Sequence, residues 1–248
     1  MLIRVLLRVT SEYLQVKNEQ GIKVEEFRQR IIAVQRRIDR AARNRGRTGQ
    51  DVSLVAVSKT VDIDMAQMAY DMGIRDFGEN RSQELNRKME AIPSARWHMI
   101  GRLQTNKVKD VVGKASLIHS MDSWHLAEAI NKRAQYLQIE VPVLLQINIA
   151  GEEQKAGVDP QDVAAFLASA GELSSIRVNG FMTMAPLHFE GEESRPVFAE
   201  LKNLHSMLKG KNFEQVDLKY LSMGMSQDFE VAIEEGANIV RIGSAIFA

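Results

Sequence analysis

Lys59 is the residue whose setting most invites chemistry. It follows the run 52–57, where five of six residues are apolar and three are valine, the pattern of a strand buried on both faces. Ser58, Lys59 and Thr60 close that run, and Asp62 is placed to cap a following helix. Carboxyl ends of buried parallel strands are where α/β folds gather their reactive groups. A neutral amine there attacks a carbonyl. With an ordinary lysine pKa of about 10.4, it needs desolvation or a nearby cation to become neutral. The plain alternative is a lysine snorkelling out of a strand end.

A second set of reactive types stands near the end of the chain. Gly224, Met225 and Ser226 form one turn, and Arg241, Gly243 and Ser244 form another. Ser226 is a good cap for a helix over 226–235, and Gly243 with Ser244 offers backbone N–H groups beside a hydroxyl. Hydroxyls and exposed N–H groups at strand-to-helix turns suit a phosphate. Asp228, close by, opposes an anion, and each turn read singly needs no ligand at all.

Those residues must be brought together by the elements between them. The spacing predicts an amphipathic helix over 24–45 from Phe27, Ile31, Val34 and Ile38, then strands over 52–57, 74–77, 97–100, 117–119, 141–149, 178–184, 218–223 and 238–243. Helices are predicted between them over 64–72, 82–89, 106–112, 124–137 (capped by Asp122), 160–170, 196–208 and 226–235. Eight alternating units with no linker or shift in composition predict one (β/α)8 barrel, and an open doubly wound sheet is the alternative. No eighth outer helix is evident after the last strand, so the helix over 24–45 is expected to cover that part of the barrel.

Barrel closure makes neighbours of all eight strand ends. Lys59 then shares a mouth with Ser226, Gly243, Ser244 and Arg241. An amine opposite a phosphate site fits a phosphorylated carbonyl compound held as a Schiff base. Pyridoxal 5′-phosphate is the obvious candidate, and a class I aldolase or a related barrel lyase would use the same two elements.

Composition narrows the field. The 248 residues are 45% hydrophobic and 26% charged, with equal basic and acidic counts and no cysteine. Zero net charge removes the electrostatic case for nucleic acid or an anionic membrane as the main partner. Absence of cysteine excludes disulfides and thiolate chemistry and suits the cytoplasm. No run approaches a membrane span. Residues 1–20 read as a poorly docked extension, because Arg4 and Arg8 interrupt its apolar run, and residues 21–248 read as the barrel domain. A structural role is expected for His98, while His119 has no acid or metal partner at evident spacing. Most of the twelve methionines read as core filler, with Met223 and Met225 placed to flank a flat ring.

Taken in order, the motifs AVSKT (56–60), FGEN (77–80), WHMIG (97–101), LQTNK (103–107), HSMD (119–122), LSMGMS (221–226) and VRIGSAIF (240–247) resemble the pyridoxal phosphate homeostasis protein family. The resemblance covers the chain from about residue 24 onward. It implies the alanine racemase type of barrel, fold type III among pyridoxal phosphate proteins, with an extra N-terminal helix. It also implies that Lys59 is the Schiff-base lysine, that Asn80 lies beside the cofactor ring, that Ser226, Gly243 and Ser244 hold the phosphate, and that Arg241 approaches the pyridine nitrogen. Residues 1–20 fall outside the family pattern, as does the end at Ala248, where the family usually has glycine and a short tail.

The fold likeness suggests a racemase, and two points oppose it. Alanine racemases bring a tyrosine from a second domain to one face of the substrate, while none of Tyr13, Tyr70, Tyr136 and Tyr220 clearly ends a strand here. An arginine at the ring nitrogen also disfavours its protonation and weakens the electron sink. The expected function is intracellular handling of pyridoxal phosphate, buffering or delivery with effects on amino- and keto-acid balance and no robust turnover. The alternative is a low-activity racemase or another enzyme using the same cofactor. Apo-enzymes that need the cofactor are the expected recipients, a monomer is the expected state, and Lys107 and Lys155 are secondary candidate amines.

Overall fold

A computed structural model describes residues 24–152 and 156–248. The predicted extension 1–20 lies outside the described residues, as does Lys155. Eight parallel strands, β1 (Ser53–Val57), β2 (Asp76–Glu79), β3 (Arg96–Met99), β4 (Leu117–Met121), β5 (Val141–Gln146), β6 (Ile176–Met182), β7 (Val216–Ser222) and β8 (Ile239–Ile242), follow one another around a closed barrel. Ser53 of β1 pairs with Ile239 of β8 and seals it. The open-sheet alternative is thereby set aside.

Alternation along each strand sorts the side chains into two cores. Phe77 and Trp97 point outward under the helices, their rings 5.1 Å apart, and the Trp97 Nε1–H donates to the Ile92 carbonyl at 3.1 Å. Inside, Val55, Leu117, Leu144, Met182 and Ile239 form a separate apolar cluster, with Tyr220 packed against it. His98 shares this lumen.

The helices are α1 (Val24–Arg43), α2 (Ile63–Asp71), α3 (Ser82–Ala91), α4 (Val108–Val111), α5 (Trp124–Leu137), α6 (Val163–Ser169), α7 (Arg195–Lys209), α8 (Phe229–Glu234) and α9 (Ser244–Phe247). Asp62 caps α2 as expected, its carboxylate accepting from the Met65 N–H at 2.8 Å. Several boundaries move for local reasons. Ser123, not Asp122, caps α5 by accepting from the Leu126 N–H, and Asp122 instead faces Arg102. α6 begins at Val163, leaving Pro160 in the preceding turn. The end of the predicted strand 141–149 bends away, and Ile147 makes one bridge to Val158.

A single helical turn, α9, does follow β8, where none was evident from the sequence. α1 packs there, as expected, against α8 and α9. Its buried stripe runs through Phe27, Ile31, Val34 and Ile38, and Phe27 stacks on Phe247 with centroids 5.8 Å apart. Arg37 and Arg40 both pair with Glu230 of α8 at 2.7 Å.

Candidate functional site

A cavity of about 670 Å³ opens at the carboxyl ends of the strands, and its lining includes Lys59, Asn80, Met225, Ser226, Arg241, Gly243 and Ser244. All seven residues singled out in the sequence therefore share one site. Lys59 is exposed to it and makes no hydrogen bond or ion pair with the described residues.

The backbone beneath Lys59 is fixed from behind. The Lys88 Nζ, reaching up from α3, donates to the Ser58 carbonyl at 2.6 Å and to Glu79 Oε1 at 2.7 Å. The Ser58 hydroxyl donates to the same Glu79 oxygen at 2.6 Å. Lys88 and Glu79 side chains are 0% and 1% exposed, so the pair is isolated from solvent screening. This triad escaped the sequence reading, although Ser82, Leu85 and Lys88 form one buried stripe at three-residue spacing. The Glu79 carbonyl also accepts from the Ile100 N–H at 3.0 Å, tying β2 to the end of β3. Asn80 follows at the mouth, and a side chain at Gly101 would overlap its backbone.

The turns after β7 and β8 interlock. Gly224 sits at φ +91°, and a Cβ there would lie 2.6 Å from Ala232 Cβ and 2.8 Å from Phe229 Cα. Only glycine lets the turn fold this tightly onto α8. Its carbonyl accepts from the Arg241 N–H at 3.0 Å. α8 starts at Phe229, so Ser226 does not cap it. The Ser226 hydroxyl instead accepts from the Ala245 N–H at 3.3 Å, joining this turn to α9. Asp228 does not compete for an anion in the cavity. Its buried carboxylate turns inward and accepts from the Met225 N–H at 2.6 Å and the Ser194 hydroxyl at 3.1 Å. Burial pushes its pKa up, with those bonds and the Arg241 charge opposing.

Arg241 is buried between these turns and the lumen. It donates to Ser222 Oγ at 2.6 Å and to the Thr183 carbonyl at 2.9 Å. Burial pulls its pKa down to about 10, against the opposing effect of Asp228, so it remains a cation at neutral pH. Met225 lines the cavity, whereas Met223 is fully buried in the outer core and does not reach it. Lys107 lies outside the cavity, 3.9 Å from Asp110.

The histidines do more than their spacing suggested. His98 Nδ1 lies 2.9 Å from His119 Nε2, and His98 Nε2 lies 3.0 Å from Asp76 Oδ1. His119 Nδ1 meets Ser222 Oγ at 2.9 Å. Burial, then the neighbouring His98 and Arg241, depress the His119 pKa well below the usual value, so this imidazole is neutral. Its acid partner lies two hydrogen bonds away on β2, a distance sequence spacing does not reveal.

A family model described as alanine racemase, N-terminal domain, matches residues 32–248. The pyridoxal phosphate homeostasis protein of Aquifex aeolicus is 44% identical over 221 residues, covering 88% of this chain and 96% of that protein. Its counterpart in Helicobacter pylori (strain 26695) is 37% identical, covering 90% and 98%. The structure of PipY from Synechococcus elongatus with PLP bound superposes with a TM-score of 0.77 at 33% identity, covering 90% of this chain and all of that one. With relatives that match nearly end to end at 37% and 44% identity and a family model over most of its length, the chain belongs to the pyridoxal phosphate homeostasis protein family.

Proposed function

We propose that this protein binds pyridoxal 5′-phosphate as a Schiff base on Lys59 and serves its homeostasis by holding and releasing the cofactor. The observation that carries this reading is one cavity in which a strand-end amine with no partner among the described residues, a buried guanidinium and the Ser226–Ser244 turns all face the same space. The PLP-bound relative supports the choice of ligand. When bound, pyridoxal 5′-phosphate supplies an electrophilic aldehyde and a phosphate dianion.

The residues suit such a group. No hydrogen bond or ion pair with the described residues has to be given up before the neutral Lys59 amine can react. Ser226, Gly243 and Ser244 present a hydroxyl pair and the start of a helical turn to an anion. Asn80 and Met225 border the space between. Arg241 has two donors fixed by Ser222 and Thr183 and acts as a cation, not as a proton source, toward a ring nitrogen. A nitrogen kept unprotonated is a weak electron sink, which favours storage over turnover. Among the described residues no tyrosine lines the cavity, and this also supports the carrier reading. Apo-enzymes lacking the cofactor are the proposed recipients.

Incubation with the cofactor should turn the wild type yellow, and Lys59→Ala should remain colourless after dialysis. A colourless wild type would overturn the reading. Borohydride reduction followed by peptide mass spectrometry should place the adduct on Lys59; Lys107 or Lys155 as the major site would reassign it. Rapid solvent exchange of the Cα hydrogen across a panel of amino acids would favour the racemase alternative.

A further inference from the structure

A row of five polar side chains crosses the barrel lumen from the cavity toward the opposite end. Arg241 (β8) donates to Ser222 (β7), Ser222 meets His119 (β4), His119 meets His98 (β3), and His98 meets Asp76 at the start of β2. Arg96 clamps Asp76 from outside with bonds of 2.7 and 2.6 Å. Every link is 3.0 Å or shorter.

The two ends dictate where the protons lie. An arginine only donates and a carboxylate only accepts. Asp76 is ionised: burial alone would raise its pKa, but the hydrogen bonds from His98 and Arg96 outweigh that and hold it low. The His98 proton must then sit on Nε2 to reach Asp76, leaving Nδ1 to accept. His119 must carry its proton on Nε2 to fill that link, leaving its Nδ1 to accept from the Ser222 hydroxyl. Ser222 in turn keeps a lone pair for Arg241. With one proton on each imidazole, no other arrangement fills every link.

We propose that Asp76 is a positioning residue for the cofactor cavity at the far end of the lumen: through His98, His119 and Ser222 it sets the direction of the chain and holds the Arg241 guanidinium against the cofactor ring. The proposal rests on the reading above that Arg241 faces that ring. Replacing the carboxylate by an amide removes the fixed acceptor. The chain can then reverse, with His119 donating to Ser222 and the serine proton left without an acceptor in the row. The guanidinium loses a defined seat, although nothing in the cavity itself has changed.

The test compares Asp76→Asn, Ser222→Ala and Arg241→Gln, each first confirmed as folded by circular dichroism. Nitrogen-15 NMR of the histidine rings in cofactor-free protein should show both His98 and His119 protonated at Nε2 in the wild type and in Ser222→Ala. Asp76→Asn should show loss of that single tautomer. Titration with pyridoxal 5′-phosphate should show a shifted absorption maximum and affinity weaker by on the order of three- to tenfold in both Asp76→Asn and Ser222→Ala. A changed spectrum in Arg241→Gln, with both other variants indistinguishable from wild type, overturns the proposal. No change in any of the three defeats the assignment of Arg241 to the ring, and the proposal falls with it. Should Asp76→Asn fail to fold, Ser222→Ala decides, and wild-type affinity and spectrum there overturn the proposal.

Discussion

The Lys88 ammonium donates to the carbonyl of Ser58, the residue immediately before Lys59, at 2.6 Å, and it shares that contact with the buried Glu79 carboxylate. Removing one partner of such a pair leaves an uncompensated charge in the interior, at a cost of about 3–5 kcal/mol. Lys88→Met should therefore lower stability by that order in urea unfolding and loosen cofactor retention. Adding Glu79→Met should restore most of the stability. A double variant no more stable than the single would show that the pair is not what holds this end of β1.

Cofactor retention is expected to depend on side chains that touch different parts of the ligand, Ser226 the phosphate and Arg241 the ring. Ser226→Ala and Arg241→Ala should each weaken cofactor affinity roughly tenfold, the scale of one hydrogen bond involving a charged group. Equilibrium dialysis giving wild-type affinity in both would refute the assigned contacts.

Gly224 carries the turn that links the β7 end to α8 at φ +91°. Gly224→Ala meets both backbone strain and overlap with Phe229 and Ala232, and should cost about 2 kcal/mol or more. Because Ser226 and Asp228 sit on the same turn, affinity should fall with it. An unfolding midpoint equal to wild type would refute the packing argument.

His119 and His205 both have pKa values depressed chiefly by burial, so each stays neutral in the folded protein at pH values where the unfolded chain takes up a proton at about 6.5. Below that pH the unfolded state binds more protons, and stability must fall as pH falls toward each folded pKa. At full slope each histidine removes about 1.4 kcal/mol per pH unit. Denaturant unfolding from pH 7.5 to 5 should show the decline, and His205→Gln should reduce its slope by up to one proton. An unaltered slope in that variant would remove His205 from the account.

α1 is held to the last βα unit by two kinds of contact with unequal weight. Phe27→Ala empties a fully buried site against Phe247 and should cost about 3–5 kcal/mol. Glu230→Gln breaks partly exposed pairs with Arg37 and Arg40 and should cost under about 1 kcal/mol, less in high salt. Thermal unfolding of the two variants tests that ordering.

Much of this architecture was legible because the barrel's strands and helices differ in hydrophobic period. Lys59 could be placed at a strand end from the valine-rich run alone, and Ser226, Gly243 and Ser244 from turn chemistry. What escaped were contacts made through space. Nothing in the sequence separates Lys88 from a solvent-facing helix lysine; only the fold turns the Ser82–Leu85–Lys88 stripe toward β1. His119 lacked a partner in the sequence because its neighbours come from β3 and β7, which meet it only across the lumen. Helix starts near 160 and 226 shifted because proline and serine served the preceding turns.

The seam between Ser53 and Ile239 joins the first strand to the last. Contacts of such separation carry the largest loop-closure cost and belong late in folding. Lys59 follows one side of that seam and Arg241 lies on the other, so the cavity has no half-built precursor. A chain still emerging from synthesis would carry the amine long before the groups that complete its pocket. A ligand held in that cavity would add its binding free energy to keeping the seam shut.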